Sequence, residues 1–497
     1  MSSRSSMLLV LMLGAISAPI VAADEAAPAA IVPLDFVQAA TDDKAGDYAR
    51  AHEEYLTLAV IGQGAADYNL AVMALNGRLG STDPGEVLGW FSAAEELGIK
   101  GPDLATLRSE ASPAAQRRAA EILAKYGKAA VTSRLEDSIR ECAFTSRPVQ
   151  VNAATDRLLI TWPKITKSAW DSANYPLGAR HEGDQGLVRV TMIIGVDGHA
   201  HDPRIEAAVS GEPRDGFEDE VIRIALMSSY TSGTRNGHPV ATRVNQSVRF
   251  IISPAAEFWD KSVLLQLRSK AFEGDPGAQY TVASIAMLDS NARSLMSLST
   301  DDEIHLAVSA ALGGSREMKY WMAQELGGAD CHEAVAARSW LLQAAAAGHP
   351  EAQLDLAERG ITEAGRVDPR AVVWLRKAAE SQDQYVMKHV AWIMATSSVP
   401  SVRDPATALH LAKQLPARSS PNPEFATVLA AALAANGDFS GARAAMEEAV
   451  AKARRLGWDE AALRGQLQSY AESHAVLNTP LVAAAEQSSL LRDGPMH

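Results

Sequence analysis

A chain of 497 residues is long enough for about three domains of ~150 residues each. It carries 46 Lys and Arg against 60 Asp and Glu, which gives a formal net charge of −14. Because that charge repels phosphate backbones and anionic lipid surfaces, it argues against a nucleic acid as partner.

Residues 1–23 have the composition of a secretory signal, with one charge at Arg4, an apolar run and small residues before Asp24. The run Met7–Ala23 contains Pro19 and is shorter than the ~20 apolar residues that a spanning helix needs. We therefore predict a cleaved signal and a periplasmic protein without a mature membrane span. A retained membrane anchor is the alternative.

Residues 24–135 are predicted to form helical repeats after a short Ala/Pro-rich leader. Two units have the same sequence pattern, in which an aromatic residue with an apolar neighbour is followed by an Ala and then by a Gly. They are Tyr55-Leu56, Ala59 and Gly62, and Trp90-Phe91, Ala94 and Gly98. Recurrence over about 35 residues, with small residues where two helices touch, is typical of an α-solenoid. Gly62 and Gly64 are interpreted as helix ends and not as a nucleotide-binding loop, because no strand pattern precedes them.

The helical pattern weakens over residues 136–165, where Arg147-Pro148 and Trp162-Pro163 interrupt it. We predict a connecting segment here. Its length suggests structure of its own, to which the sequence assigns no type.

Residues 166–254 have the pattern of β-strands. From Leu187 the apolar residues fall on every second position, which is the period of a half-buried strand: Val188, Val190, Met192, Ile194 and Val196. Asp197-Gly198 then predicts a hairpin turn, and a second strand is expected from His199 to Val209. Pro203 confines that strand to an edge, a bulge or a strand break, because proline cannot donate to the ladder.

A helix and a last strand complete this module in the order β-β-α-β. The helix is predicted between Pro213 and Tyr230 from one apolar face at helical spacing: Phe217, Val221, Ile224, Ala225 and Leu226. Asn236-Gly237 predicts a turn. Beyond it, apolar and polar residues alternate from Val240 to Phe250, so this strand is expected to have one dry and one solvated face.

Several short motifs in this stretch resemble the TonB C-terminal domain family: Tyr175-Pro176, Ala179-Arg180, Gly183 with Gly186, the Val-Asp-Gly hairpin, Ser210-Gly211, the helix, and Asn236-Gly237 with Pro239-Val240. The resemblance implies a helix or two packed on a three-stranded antiparallel sheet. It also implies, as in bacterial energy transducers, a role in gripping outer-membrane receptors from the periplasm. The sequence departs from the family after the helix, where Ser228-Ser229-Tyr230-Thr231-Ser232 stands in place of an aromatic-x-aromatic-x-Pro run. Partner specificity is therefore not carried over.

Residues 255–478 are predicted to form a second helical array, and residues 479–497 a poorly ordered tail. The clearest unit and its successor share a Trp-Leu and an Ala-Ala pair: Trp340-Leu341, Ala344-Ala345, Gly348 and Ala352-Gln353, then Trp374-Leu375 and Ala378-Ala379. These units resemble Sel-one-like repeats, a subfamily of the tetratricopeptide solenoids. Residues 424–453 resemble an ordinary tetratricopeptide unit. Trp340 and Trp374 are expected to fill equivalent grooves between repeats.

Few residues predict chemistry. Cys142 and Cys331 could form one disulfide or remain two unpaired buried thiols, and the sequence leaves both open. His199 and His201 share one face of a predicted strand, but no third and fourth ligands are evident, so a solvated face is favoured over zinc. We predict no catalytic residue, no metal site and no cofactor.

The whole pattern predicts a multidomain α+β protein, with a β-β-α-β TonB-C-like sheet module between two α-solenoid regions of Sel-one-like or tetratricopeptide type. It favours a non-enzymatic periplasmic adaptor that binds envelope or outer-membrane proteins through its repeats and its module, in envelope transport. Two alternatives stay open. One is a membrane-anchored TonB-type energy transducer for outer-membrane receptor transport, and the other is an enzyme subunit with a site in the solenoid groove.

The last strand is the predicted partner-binding edge. In a three-stranded sheet at least two strands are edges, and another chain can complete their free N–H and C=O groups. The run from Val240 to Ile252 has no proline after Pro239, so its ladder is expected to be unbroken. We predict that an extended segment of a partner, or of a second copy, pairs there, unless a solenoid helix or the 136–162 segment already covers that edge. The predicted contact residues are Val240, Thr242, Val244, Asn245, Gln246, Val248 and Phe250.

Overall fold

The computed structural model describes the chain from residue 36 onward, with gaps. The described residues are 36–78, 80, 82–145, 160–169, 175–210, 216–252, 258–327, 334–361, 367–478, 481 and 491–495. The predicted signal and leader, residues 146–159 of the connecting segment, Gly211 and Cys331 therefore lie outside the described residues.

Seven helices among the described residues precede the β module. They are α1 (Phe36–Ala45), α2 (Tyr48–Val60), α3 (Gly64–Leu75), α4 (Pro84–Glu96), α5 (Leu104–Glu110), α6 (Pro113–Tyr126) and α7 (Lys128–Thr145). Gly62, at φ +85°, lies between α2 and α3, so the interpretation of these glycines as helix ends is confirmed. Helix α7 runs past the boundary expected at residue 135 and occupies the first part of the predicted connection.

The β module consists of short strands around one larger antiparallel sheet. Its elements are β1 (Ile160–Thr161), β2 (Ile165–Lys167), α8 (Leu177–Glu182), β3 (Gly186–Ile194), β4 (Ala200–Ser210), α9 (Phe217–Met227), β5 (Ser229–Tyr230), β6 (Gly233–Arg235), β7 (His238–Val240) and β8 (Thr242–Phe250). The larger sheet has the order β4-β3-β8, with β9 (Leu491–Pro495) beside β8. The predicted β-β-α-β order is confirmed as β3-β4-α9-β8.

Helix α9 covers one face of the larger sheet. All five residues of its predicted apolar face are fully buried: Phe217, Val221, Ile224, Ala225 and Leu226. Phe217 and Val221 belong to one core cluster with Val188 and Val190 of β3, and Ala225 belongs to a second cluster with Met192 and Ile194. Both turns are also confirmed, because Gly198 has φ +74°, and Asn236 and Gly237 have the two positive φ values that a tight two-residue hairpin requires.

Thirteen helices follow the module within the described residues. They are α10 (Lys261–Phe272), α11 (Pro276–Leu288), α12 (Ser290–Leu295), α13 (Thr300–Leu312), α14 (Arg316–Leu326), α15 (Ala334–Ala346), α16 (Pro350–Gly360), α17 (Pro369–Ala378), α18 (Gln384–Thr396), α19 (Pro405–Gln414), α20 (Pro423–Ala435), α21 (Phe439–Leu456) and α22 (Ala461–Ala471). The mixed α+β layout, with helices on both sides of a small sheet region, is as predicted. The type of repeat stays a prediction.

The Ala-Gln pairs of the repeats have a structural task. Gln279 Nε2 donates to the carbonyl of Ala271 at 3.2 Å, and Gln353 Nε2 donates to the carbonyl of Ala345 at 3.0 Å. In each case the acceptor lies in the last turns of the preceding helix, whose carbonyls have no partner within that helix. The glutamine therefore joins the two helices of one unit.

The two tryptophans that were expected to be equivalent differ in burial. Trp340 is 0% exposed in the core formed by α7 and α10–α16. Trp374 is only partly buried and packs against two adjacent clusters. The core role is confirmed for Trp340, and the equivalence of the two positions is not.

The two helical regions share a core as well as flanking the module. Val131, Leu135, Ile139 and Cys142 of α7 belong to the same buried cluster as Trp340 of α15. Cys142 is disulfide-bonded, which favours the first of the two alternatives for the cysteines. Helix α7 therefore ties the N-terminal helices to the second array.

Candidate protein-interaction site

Six of the seven predicted contact residues lie on β8, and Val240 does not. Val240 ends β7, which pairs with β6 in a separate small sheet. The chain leaves that sheet at Ala241 before β8 begins at Thr242. The expectation of one unbroken ladder from Val240 is therefore corrected, because His238–Val240 instead closes the hairpin around the Asn-Gly turn.

Strand β8 pairs with β3 along its whole length. The register runs from Gly186 opposite Phe250 to Ile194 opposite Thr242. The predicted residues on the α9 side are Thr242, Val244, Gln246, Val248 and Phe250, whereas Asn245 points to the other face. Thr242, Val244 and Phe250 are buried, so the dry face is as predicted.

The face that was expected to be solvated packs instead against the end of α11. Arg189 of β3 donates to the carbonyl of Met287, and Ser247 Oγ donates to the carbonyl of Leu288 at 3.4 Å. Arg249 Nη2 lies 2.7 Å from the carboxylate of Asp289. The last carbonyls of a helix lack intrahelical partners, and these side chains supply them. The alternation of apolar and polar residues along β8 is confirmed, but the polar face forms an interface with α11 and is not solvated.

Strand β4 forms the other edge of the sheet and contains the irregularity that Pro203 predicted. The β3–β4 register shifts between Thr191 and Ile193, where β4 has one extra residue. Asp202, in this bulge, has φ +49°, a conformation that Asp adopts more readily than most residues. The bulge is confirmed, and it brings Asp202 against α18 and α20.

Asp202 lies in a buried group of charges that joins the module to the second array. We call Asp202, Lys388, His389 and Glu424 the Asp202 cluster. Lys388 Nζ lies 2.6 Å from both the Asp202 and the Glu424 carboxylates, and His389 Nε2 lies 2.8 Å from Asp202. The backbone N–H of Asp202 donates to Glu424 Oε1 at 2.7 Å. The Lys388 side chain is only 1% exposed.

Mutual attraction keeps Asp202, Lys388 and His389 charged. Burial alone would raise the pKa of Asp202, but Lys388 and His389 outweigh burial and hold that pKa well below its usual range. Burial would lower the pKa of His389, and Asp202 instead raises it to about 9. The pKa of Lys388 is raised in the same way by Asp202 and Glu424 against the effect of burial. Asp202 is therefore an anion at neutral pH, and Lys388 and His389 are the cations that compensate it.

A second ion pair follows along β4. Arg204 Nη1 lies 2.5 Å from Glu351 Oε2 of α16, with the two side chains 17% and 15% exposed. The Arg204 guanidinium also lies 5.7 Å from the centre of the Tyr385 ring. Helices α16, α18 and α20 thus all contact β4, so this edge of the sheet is covered by the array.

The hairpin between β3 and β4 makes a further contact with the array. The His201 ring lies 4.0 Å from that of Trp458, and His201 Nε2 lies 3.0 Å from the Asp197 carboxylate. His199 lies so close to Gly457 that a Cβ on that glycine would be 3.0 Å from the His199 ring. The expectation of a solvated face for both histidines is wrong, because the loop after α21 covers them.

The outer edge of β8 is not bare. Strand β9 lies parallel to it, with Leu491 opposite Thr242, Gly494 opposite Val244 and Pro495 opposite Asn245. The segment that was expected to be a poorly ordered tail therefore contains a strand, and it covers part of the predicted partner edge. The covers expected from the sequence were a solenoid helix or the 136–162 segment, and not this C-terminal segment.

Other described parts of the chain offer little for chemistry. Among the described residues no three His, Cys, Asp or Glu side chains are arranged to hold a metal. A cavity of about 240 Å³ between α2, α4 and α6 is lined by Trp90 and Tyr126, and beside it Arg118 pairs with Glu86 at 2.8 Å. No described helix is both long and apolar enough to cross a membrane.

Sequence reasoning missed Lys388, His389 and Glu424. The signal that could have revealed them is a charge on a helix that is apolar on most of its sides. Lys388 lies in such a helix, α18, and Glu424 begins another, α20, whose other early residues are nearly all buried. A Lys or Glu in such a place is rarely buried without a partner.

Comparison with known proteins identifies the sheet module. Residues 171–252 match the family described as Gram-negative bacterial TonB protein C-terminal. No curated protein matches the chain. The match spans the β module alone and ends just after β8. It supports a role in protein interaction at the bacterial envelope and leaves the type of the helical repeats as a prediction.

Proposed function

We propose that this chain is a periplasmic, non-enzymatic adaptor in which the helical array holds a TonB C-terminal module and presents its β8 edge to envelope proteins. The observation that carries the proposal is the Asp202 cluster. It buries the β4 edge in the array, so only the opposite side of the larger sheet, where β9 covers part of β8, is left for a partner among the described strands. The polar face of β3 and β8 is likewise taken by the end of α11.

Strand addition is the recognition mode that fits such an edge. An incoming extended segment gains backbone hydrogen bonds along the strand, and alternate side-chain positions provide selectivity. Here the positions on one side lie near buried Phe250 and partly buried Val248, and those on the other lie near Arg249 and Ser247. A partner segment with apolar residues at every second position matches this arrangement.

Site-specific photo-crosslinking in cells tests the proposal. A photoreactive residue at Ser247, which is exposed on β8, is expected to capture outer-membrane or periplasmic proteins. The matched control is Arg117, which is exposed on α6 in the N-terminal helical region, outside the β module. Identical products from the two positions, or no product from Ser247, would count against β8 as the partner edge.

Backbone variants sharpen this test. The N–H groups of adjacent residues in a strand point to opposite sides. One of the two variants Asn245→Pro and Gln246→Pro therefore removes a donor from the outer edge, and the other removes a hydrogen bond to β3. We expect the outer-edge variant to keep the helical circular dichroism of the parent and to lose the Ser247 crosslinks. Crosslinks that persist in both folded variants would exclude strand addition.

A membrane-anchored TonB-type energy transducer is the second candidate, and the family match of residues 171–252 favours it. It requires that the apolar run Met7–Ala23 be retained. The mass of the protein purified from cells separates the two candidates. The adaptor proposal expects a mature chain beginning at or near Asp24 in the periplasmic fraction, and the transducer expects a chain beginning at Met1 in washed membranes.

The enzyme alternative has less support. Polar residues do gather in the groove of the second array, but there they bind one another. Lys388, Asp202 and Glu424 are each 6% exposed or less. Their hydrogen-bonding atoms are directed at each other and at β4, so we do not propose a substrate site in that group.

A further inference from the structure

The strand on the β8 edge covers only part of it. Strand β9 pairs with β8 from Thr242 to Asn245, and β8 continues to Phe250. Within the described residues no strand pairs with the outer edge of Gln246–Phe250. Ser247 and Arg249 are exposed there, and the next two residues, Ile251 and Ile252, are 39% and 49% exposed. The half of β8 that no described strand covers thus ends in an exposed apolar pair.

The composition of β9 makes it a weak strand. Pro495 has no N–H to donate, and Gly494 loses more conformational entropy than any other residue when it is fixed in a strand. The pairing is parallel and its register is irregular between Thr242 and Val244. Parallel ladders are slightly less stable per residue than antiparallel ones. Few and imperfect backbone bonds therefore hold β9 in place.

The chain that leads to β9 is fixed at its start. Asn478 donates its backbone N–H to the carbonyl of Thr396 at 2.8 Å. Its side chain binds Ser398 twice, at 2.9 and 2.8 Å. These contacts attach the base of the tail to the end of α18, the helix that carries Lys388. A short tether of this kind raises the local concentration of β9 at β8 and compensates for its weak pairing.

We infer that β9 is a built-in, displaceable occupant of the partner edge, and that Gln246–Phe250, with which no described strand pairs on that side, is the starting point for its displacement. An extended segment of an envelope protein pairs first with Gln246–Phe250, next to Ile251 and Ile252. It then extends its pairing toward Thr242 and removes β9. This inference rests on the proposed function of β8 as the partner edge.

The occupancy of the edge by β9 can be measured without any partner. Hydrogen exchange is compared between the full mature chain and a variant that lacks residues 491–497. We expect the outward N–H groups within Thr242–Asn245 to exchange at least about tenfold faster in the shortened chain, with Gln246–Phe250 unchanged. Equal exchange in both chains would overturn the inference. The helices provide the internal control, since their exchange should stay the same.

Addition of the tail as a separate molecule tests its specificity. A synthetic peptide of residues 486–497, at millimolar concentration, is expected to restore protection at Thr242–Asn245 in the shortened chain. A peptide of scrambled sequence serves as the control. If both peptides protect equally, or the native peptide protects other residues, β9 is not a specific occupant of β8 and the inference fails.

The two hypotheses fail in different ways. If β9 is a displaceable occupant and β8 binds partners, the shortened chain gives more Ser247 crosslinks than the full chain. If exchange shows the occupancy but no crosslinks form in either chain, the proposed function fails and β9 simply completes the sheet. If crosslinks form equally in both chains and exchange is unchanged, the function stands and the regulatory inference falls.

Discussion

The ammonium group of Lys388 lies 2.6 Å from the carboxylate of Asp202, although the two residues are 186 positions apart and belong to an α-helix of the array and a β-strand of the module. Glu424 approaches the same ammonium from α20, also at 2.6 Å. Ions taken out of water are stable only when they compensate one another, so this contact fixes how the module sits in the array.

Removal of the Lys388 charge should therefore weaken the whole assembly. The variant Lys388→Met leaves Asp202 and Glu424 buried with less compensation, and we expect a loss of about 3–5 kcal/mol in the free energy of unfolding. Chemical denaturation followed by circular dichroism measures this change. The control Lys377→Met alters a half-exposed lysine of α17 and should change stability by no more than about 0.5 kcal/mol.

A triple variant separates the charge from the packing. Asp202→Asn, Lys388→Met and Glu424→Gln together remove three of the charges, and His389 loses the carboxylate that raises its pKa, so much of the stability lost in Lys388→Met should return. If Lys388→Met alone is as stable as the parent, the Asp202 cluster does not hold the module in place.

Asp67 occupies the position of Gln279 and Gln353 in its own repeat, five residues after a glycine that ends a helix. It is 0% exposed, and neither of its oxygens has a hydrogen-bond partner within the described residues. Burial raises its pKa well above the usual range. The folded state therefore binds the proton more tightly than the unfolded state.

This difference predicts a pH dependence. The contribution of Asp67 to stability is fully present below the unfolded pKa of ~3.9 and is lost as the pH rises toward the folded value. Asp67→Asn and Asp67→Gln should be more stable than the parent at pH 7 by about 1–3 kcal/mol, and the gain should shrink toward pH 4. Urea denaturation of the parent and the variants at several pH values from 4 to 7 tests this prediction. Asp137→Asn, at an exposed site, is the control variant.

Gly186 begins β3 directly under the helix of the module. A Cβ at this position would lie 2.4 Å from the ring of Phe217, which is itself fully buried. We expect Gly186→Ala to cost about 1–3 kcal/mol, because the fully buried ring must shift to make room for the Cβ. Thermal unfolding measures the loss. Gly178→Ala in α8 is the control, since nothing lies within 4 Å of its Cβ and the variant should be neutral or slightly stabilising.

The two tryptophans of adjacent repeats should respond differently to truncation. Trp340→Ala opens a cavity in the shared core and is expected to cost about 3–5 kcal/mol. Trp374→Ala removes a side chain that is only partly buried, and a loss of about 1–2 kcal/mol is expected. Equal losses of unfolding free energy in denaturation experiments would show that the difference in exposure between the two tryptophans does not determine how much each stabilises the fold.

The sequence by itself determined what depends on neighbouring residues. The apolar alternation of β3, the helical spacing from Phe217 to Leu226 and the positive φ at Asn236-Gly237 follow from backbone geometry and local burial, so they could be predicted before any contact was known. The family resemblance of the module rests on the same short-range features. The seven residues of the predicted edge were also placed from alternation, and six of them lie on one strand.

Only the tertiary structure decided what the polar groups do. Alternation distinguishes a polar face from an apolar one, but it does not say whether water or another element covers the polar face, and here α11 covers it. The burial of Lys388 depends on Asp202 and Glu424 approaching from different elements, because an ion leaves water only where opposite charges compensate it. The occupation of β8 by Leu491–Pro495 joins two segments almost 250 residues apart, roughly half the chain, and no local pattern in either segment encodes that pairing.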